Sequence, residues 1–231
     1  MLLKSTIKKK SIFPIIITSV IFLLVFTTYS ISNKSGLDFW NDRKSYSSTG
    51  DELKDGDLIF HTSISTQSEA IQLATKSAYT HCGIIFKEGN TFYVFEAVGP
   101  VKRTLLSEWI ASGKNGKYVV KRLKSADQVL TPEVLGKMME IGRGFNGKEY
   151  DKAFEWSDDK MYCSELIWKI YQRATGIELG QLEKLGDFDL TSPTVQQIIR
   201  NRYGKSIPLN ESVISPVAVF ESDKLITIQE N

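Results

Sequence analysis

The stretch Thr80-His81-Cys82-Gly83-Ile84-Ile85-Phe86, followed by Lys87-Glu88-Gly89-Asn90 and then Thr91-Phe92-Tyr93-Val94-Phe95-Glu96-Ala97-Val98, decides the architecture. Two β-branched and aromatic runs flank four residues of turn chemistry, the pattern of an antiparallel hairpin. Side chains alternate along each strand, and cross-strand partners share a face. Glu96 therefore falls on the face of Phe92, Val94 and Val98, where a lone carboxylate is costly unless something pairs with it. A turn at Glu88-Gly89 sets His81 directly opposite Glu96. A turn at Gly89-Asn90 makes the two diagonal neighbours, within about 8 Å. Either register gives a His-carboxylate pair, the arrangement of a structural ion pair and equally of the orienting half of a catalytic triad.

The second decisive pattern is helical. From Tyr162 to Thr175, Cys163, Leu166, Ile167, Ile170, Tyr171 and Ala174 recur at offsets of three and four, Gly176 stops the run, and Ser157, Asp158 or Asp159 is available to cap its start. Cys163 falls in the first turn, where the partial positive charge of the helix end favours a thiolate. A small buried core cysteine fits the same position. The His81 and Glu96 pair turns the reading toward thiol chemistry, which needs a stabilised sulfur, a base and a group that orients the base. His61 ranks second as base, since no acid faces it in a defined register.

Around these units the chain reads as alternating short elements. Leu58-Ile59-Phe60 suits a buried strand after the Asp55-Gly56-Asp57 turn, and Ser68 to Lys76 suits a helix. Leu105 to Ala111 reads as a short helix, Tyr118 to Leu123 as a strand, and Thr131-Pro132-Glu133 opens a helix that ends at Gly142 or Gly144. A helix near Pro193 to Asn201 and an apolar stretch around Val217 to Ile228 complete a mixed α+β domain with a largely antiparallel sheet.

Only two cysteines exist, Cys82 and Cys163. Cys82 points to the opposite face from His81, so a Cys163 that reaches His81 is expected not to reach Cys82, which argues against a disulfide. By the same alternation His81 and Cys82 are not expected to share a metal, and neither a metal nor an organic cofactor is expected. Gly142 to Glu149 lacks the Ser or Thr of a phosphate loop, and Asp151, Glu155, Asp158 and Asp159 lack an EF-hand spacing.

The chain divides into three parts. In residues 1–32, Lys4, Lys8, Lys9 and Lys10 precede an apolar run from Ile12 to about Tyr29, which reads as an export signal or a signal anchor. Cleavage after Ser32 is compatible with the small residues Ser30 and Ser32. Residues 33–50 are a polar linker or lead-in, and residues 51–231 form one domain. Four of the 29 basic residues lie in the first segment, leaving 25 against 27 acidic ones. So near-neutral a body argues against nucleic acid as the partner. Nothing in the sequence sets an oligomeric state.

The runs Gly56-Asp57-Leu58-Ile59-Phe60, Ser77-Ala78-Tyr79-Thr80-His81-Cys82-Gly83-Ile84, Val94-Phe95-Glu96-Ala97-Val98 and Tyr162-Cys163-Ser164-Glu165-Leu166 closely resemble the YiiX-like branch of the NlpC-type hydrolases. The resemblance extends from about Leu53 to near the C-terminus. It implies a circularly permuted papain-like fold, with the His strand ahead of the Cys helix, and a triad of Cys163, His81 and Glu96. It also implies an oxyanion site at the backbone N–H of Cys163 and at Tyr162, with Tyr150 and Asp151 shaping the substrate pocket. The expected activity is hydrolysis or transfer of an acyl group without a cofactor. The substrate is a peptide, such as a murein peptide, or a lipid acyl group, which an apolar pocket beside Cys163 would favour; a binding module without turnover is the alternative of another class. The expected location is the cell envelope, with the N-terminal segment held in the membrane if it is not cleaved.

Overall fold

The computed structural model describes residues 53–231. The signal or anchor expected in residues 1–32 and the linker expected in residues 33–50 lie outside them. Among the described residues, no helix is long and apolar enough to cross a membrane.

In chain order the elements are β1 (Leu58–His61), α1 (Thr66–Thr75), β2 (His81–Glu88), β3 (Thr91–Ala97), β4 (Val101–Leu105), α2 (Leu106–Ser112), β5 (Val119–Leu123), α3 (Ala126–Val129), α4 (Pro132–Phe145), α5 (Cys163–Thr175), β6 (Glu183–Lys184), α6 (Pro193–Tyr203), β7 (Ser212–Val213), α7 (Pro216–Phe220) and β8 (Leu225–Glu230). Six strands form one sheet in the order β4-β3-β2-β1-β5-β8, and β6 pairs with β7. Every pairing between named strands is antiparallel. This is the α+β arrangement with an antiparallel sheet anticipated from the sequence, and the strand bearing His81 precedes the helix bearing Cys163.

The hairpin adopts the second of the two registers. Ile84 lies opposite Phe95 and Glu88 opposite Thr91, so the turn is Gly89-Asn90, with Gly89 at φ 58°. His81 and Glu96 are consequently diagonal neighbours, and Gly83 lies in line with Glu96. A Cβ at Gly83 would come within 2.3 Å of Val94 Cγ1 and 3.5 Å of Glu96 Cβ, so glycine leaves the space through which the carboxylate leans toward His81.

One face of the sheet presents Leu58, Phe60, Cys82, Ile84, Phe95 and Ala97 to the buried stripe of α5 and to Met138 and Phe145 of α4. Burying a side chain such as Leu166 or Ile170 fully contributes roughly 1.5–3 kcal/mol, so this face anchors α5. The other face carries a smaller cluster of Ile59, Ile85, Val94, Trp109, Tyr118 and Val120. Among the elements that depart from expectation, two bear on the site. β4 was not anticipated, because its Lys102 and Arg103 interrupt the apolar pattern of an edge strand. α4 continues through Gly142 and Gly144 to Phe145, since the Gly142 backbone packs so closely on Phe95 that a Cβ would lie 3.2 Å from its ring.

Candidate active site

Thr80 and Thr62 tie the start of β2 to its neighbour: Thr80 N–H donates to the His61 carbonyl and Thr62 Oγ1 to the Ala78 carbonyl. This places His81 at the first position of β2, opposite His61. Its Nε2 lies 2.5 Å from Glu96 Oε2, and both side chains are buried. Trp109 Nε1 donates to the same Oε2 at 2.9 Å, and Thr104 Oγ1 donates to Oε1. Burial raises the Glu96 carboxyl, but the hydrogen bond and charge of His81, with those from Thr104 and Trp109, bring it below its ordinary value. With Nε2 committed to Glu96, Nδ1 is the ring nitrogen left for a further partner.

That partner is Cys163, the first residue of α5. Its side chain is buried and in hydrogen-bonding contact with His81 and with Cys82. The hydrogen bond from the Cys82 side chain does most to hold the Cys163 thiol well below its ordinary range; burial opposes it, and the hydrogen bond and charge of His81 reinforce it. Burial opposes the charge on His81 as well, yet its contacts with Cys163 and Glu96 raise it above the usual histidine range. Cys82 is raised by burial first and by Cys163 second, so it remains a thiol and donates. These directions together favour a thiolate beside an imidazolium, backed by a carboxylate.

The expectation that Cys163 cannot approach both His81 and Cys82 is corrected. Alternation separates the two side chains along a strand, but at its first residue a group approaching past the strand end meets both. The two cysteines are free thiols. Among the described residues, no group of three or more His, Cys, Asp or Glu side chains is placed to hold a metal ion.

The remaining expected residues separate. Tyr162 occupies the N-cap position of α5, in place of the expected Ser157, Asp158 or Asp159; its backbone N–H reaches Glu165 Oε2 at 3.4 Å and its hydroxyl accepts from Ile214 N at 3.1 Å. Asp158 instead pairs with Lys169 and Arg173. Asp151 accepts from Ala153 N at 2.7 Å and Glu155 N at 2.6 Å, so both carboxylate oxygens hold the loop between α4 and α5 instead of facing a substrate. Tyr150 extends from that loop to the cleft beside Cys163. His61 stacks on Trp109 at 3.9 Å and approaches Ser63 Oγ, and burial lowers it to about 3, so it stays neutral. Its low basicity and lack of an acid partner argue against its being the base. Thr104 and Trp109 were missed. Thr104 shares the Glu96 face through the Val94↔Thr104 pairing, a signal readable only once β4 is recognised.

Cys163 opens onto a cleft of about 770 Å³, counted out to solvent, between α1 and α6. Its walls include Ala70, Ile71, Val195, Ile198 and Ile199, and it is overwhelmingly apolar.

Residues 52–229 match a family model described as permuted papain-like amidase enzyme, YaeF/YiiX, C92 family. The YiiX protein of Escherichia coli K12, described as uncharacterized, is 50% identical over 173 residues, which cover 75% of this chain and 84% of that one. A crystal structure of YiiX from Escherichia coli O157:H7, titled a metalloprotein, superposes with a TM-score of 0.73 at 49% identity, covering 77% of this chain and 97% of that one. Sequence and structure thus agree over nearly all of the described domain, and the chain belongs to the permuted papain-like amidase family of YaeF and YiiX.

Proposed function

We propose that this protein is a cysteine amidase or acyl hydrolase whose substrate places an apolar acyl portion in the cleft beside Cys163. The observation that carries the reading is the buried series Cys163, His81, Glu96 at the head of a helix. The Cys163 thiolate attacks the carbonyl carbon, and the carbonyl electron pair moves onto oxygen, which receives hydrogen bonds from the Cys163 backbone N–H and the Tyr150 hydroxyl. The intermediate collapses as His81 donates its proton to the leaving amine or alkoxide, leaving a thioester. Water, deprotonated by His81, attacks the thioester, and Cys163 departs as a thiolate with release of the acid. Glu96 keeps the imidazole oriented and stabilises its charged form.

The apolar walls favour an acyl chain over a murein peptide, whose polar groups would be left without partners there. Export fits either substrate, and the N-terminal segment, if retained, holds the domain at a membrane where acyl lipids lie. The mass of the mature N-terminus distinguishes a cleaved signal from an anchor.

The test combines labelling and turnover. Iodoacetamide is expected to alkylate Cys163 rapidly at neutral pH, and His81→Ala to abolish that speed. N-acyl amides of increasing chain length are expected to be cleaved with rising kcat/KM until the cleft is filled, with Cys163→Ala inactive. Labelling at Cys82 alone, or indifference to His81→Ala, overturns the mechanism; preference for murein peptides overturns the acyl assignment.

A further inference from the structure

Three side chains on the wall of the cleft form a series whose direction follows from their donors and acceptors. Arg202 of α6 donates from Nη2 to Gln67 Oε1 at 2.8 Å, and Gln67 of α1 donates from Nε2 to the Tyr150 hydroxyl oxygen at 2.8 Å. A guanidinium has donors and no acceptor, so Gln67 must turn its oxygen to Arg202 and its amide nitrogen to Tyr150. The Tyr150 oxygen therefore accepts, and its own hydrogen is left to point elsewhere. Among the described residues Arg202 forms no ion pair; its guanidinium lies 4.9 Å from the Phe154 ring centre. All three side chains line the cleft that contains Cys163.

We propose that Gln67 and Arg202 are positioning residues that aim the Tyr150 O–H at the substrate oxyanion and strengthen it as a donor, an inference that rests on the acyl-transfer reading above. Each bond in the series polarises the next, with a fixed positive charge at the far end. Burial, before any other influence, keeps Tyr150 in its protonated phenol form, so it donates a hydrogen bond without ionising. The donor is set before the reaction begins, which is the condition under which such a group lowers a barrier. The series approaches the cleft from α1 and α6, apart from the hydrogen bonds of His81 and Glu96, so the two sets of residues are separable by experiment.

The discriminating substitution is Gln67→Glu. It preserves shape and the contact with Arg202, but a carboxylate accepts only, so the Tyr150 hydrogen is drawn back toward position 67 and away from the cleft. Two rates are compared in the full chain: alkylation of Cys163 by iodoacetamide, which forms no oxyanion, and the acylation burst with p-nitrophenyl butyrate, which does. Alkylation is expected to stay within about twofold of the unsubstituted protein in Tyr150→Phe, Gln67→Glu, Gln67→Leu and Arg202→Met. Acylation is expected to fall roughly 10²-fold in Tyr150→Phe and in Gln67→Glu, the scale of losing one oxyanion donor, and roughly tenfold in the other two. The double variant Tyr150→Phe/Gln67→Leu is expected to acylate no more slowly than Tyr150→Phe alone, because the two residues act through one hydrogen bond. Unchanged acylation in Gln67→Glu, or additive losses in the double variant, overturns the proposal while leaving the nucleophile assignment standing. Acylation that persists in Cys163→Ala overturns both.

Discussion

Replacing Glu96 by glutamine isolates the charge of the carboxylate from its shape. Glu96 accepts from His81 Nε2, Trp109 Nε1 and Thr104 Oγ1. A glutamine oxygen can take the place of Oε2, with the amide nitrogen facing Thr104, whose hydroxyl is able to accept where it formerly donated. No donor is orphaned, so the fold is expected to survive; Glu96→Ala would leave three donors without a partner. A hydrogen bond to a charged group contributes ~1.5–3 kcal/mol against ~0.5–1.5 for a neutral pair. Loss of the charge thus weakens the His81 imidazolium by about 1.4 kcal/mol, a factor of about ten. The sign follows from His81 lying above its ordinary value partly because of Glu96: without the carboxylate its ionisation moves to lower pH. The basic limb of Cys163 alkylation, where imidazolium is lost, is expected to shift down by about one pH unit. The assay is iodoacetamide alkylation across pH, with ultraviolet thiolate absorbance recorded in parallel. An unshifted basic limb in a folded Glu96→Gln protein would refute the role given to the carboxylate.

Three other perturbations act on neighbouring parts of the same network. Cys82→Ala removes the thiol that donates to Cys163, so the acid limb of alkylation is expected to move to higher pH by about one unit, the worth of one hydrogen bond to a charged group; an unmoved limb removes Cys82 from the account. Trp109→Phe keeps a ring against His61 but deprives Glu96 Oε2 of its indole donor, and urea unfolding is expected to show a loss of ~1–3 kcal/mol. Glu165 is buried and raised by that burial from 4.5 to about 7. The folded state therefore retains a proton that the unfolded chain releases, and stability is lost as pH rises from about 4.5 to 7. In Glu165→Gln this part of the decline, up to about 3 kcal/mol, is expected to disappear from the pH dependence of unfolding, and equal slopes in the two proteins would contradict it.

What the sequence disclosed depended on the range of the pattern. The hairpin and α5 were legible because periods of two and of three to four are local properties, and Gly89 and Gly176 mark their ends. The register was legible only to within two choices, since four turn residues admit both. Thr104 was hidden by the charged pair Lys102-Arg103, which makes β4 look like a loop, and nothing local to the anticipated short helix pointed its Trp109 at Glu96. Gln67 and Arg202 meet across 135 positions of sequence, and no local pattern relates a glutamine in one helix to an arginine in another. The cleft likewise arises from the packing of α1 on α6, where Ala70, Val195 and Ile199 form a separate apolar cluster.

The failed expectation about Cys163 and Cys82 shows where strand logic stops. Alternation assigns His81 and Cys82 to opposite faces, and the two core clusters respect that assignment: Cys82 lies with Leu58, Phe60 and Ile84, while the neighbours of His81 are Trp109 and His61. A sulfur approaching over the middle of β2 would meet only one of them. Cys163 instead begins α5 at the end of the strand, where the chain no longer separates the faces, so a base from one side and a thiol donor from the other converge on it. The imidazole gains buried partners on its own face, Glu96 and Trp109, and still presents its second nitrogen past the edge. A nucleophile at a helix start and a base at a strand start thus meet because both side chains stand at the terminal positions of their elements.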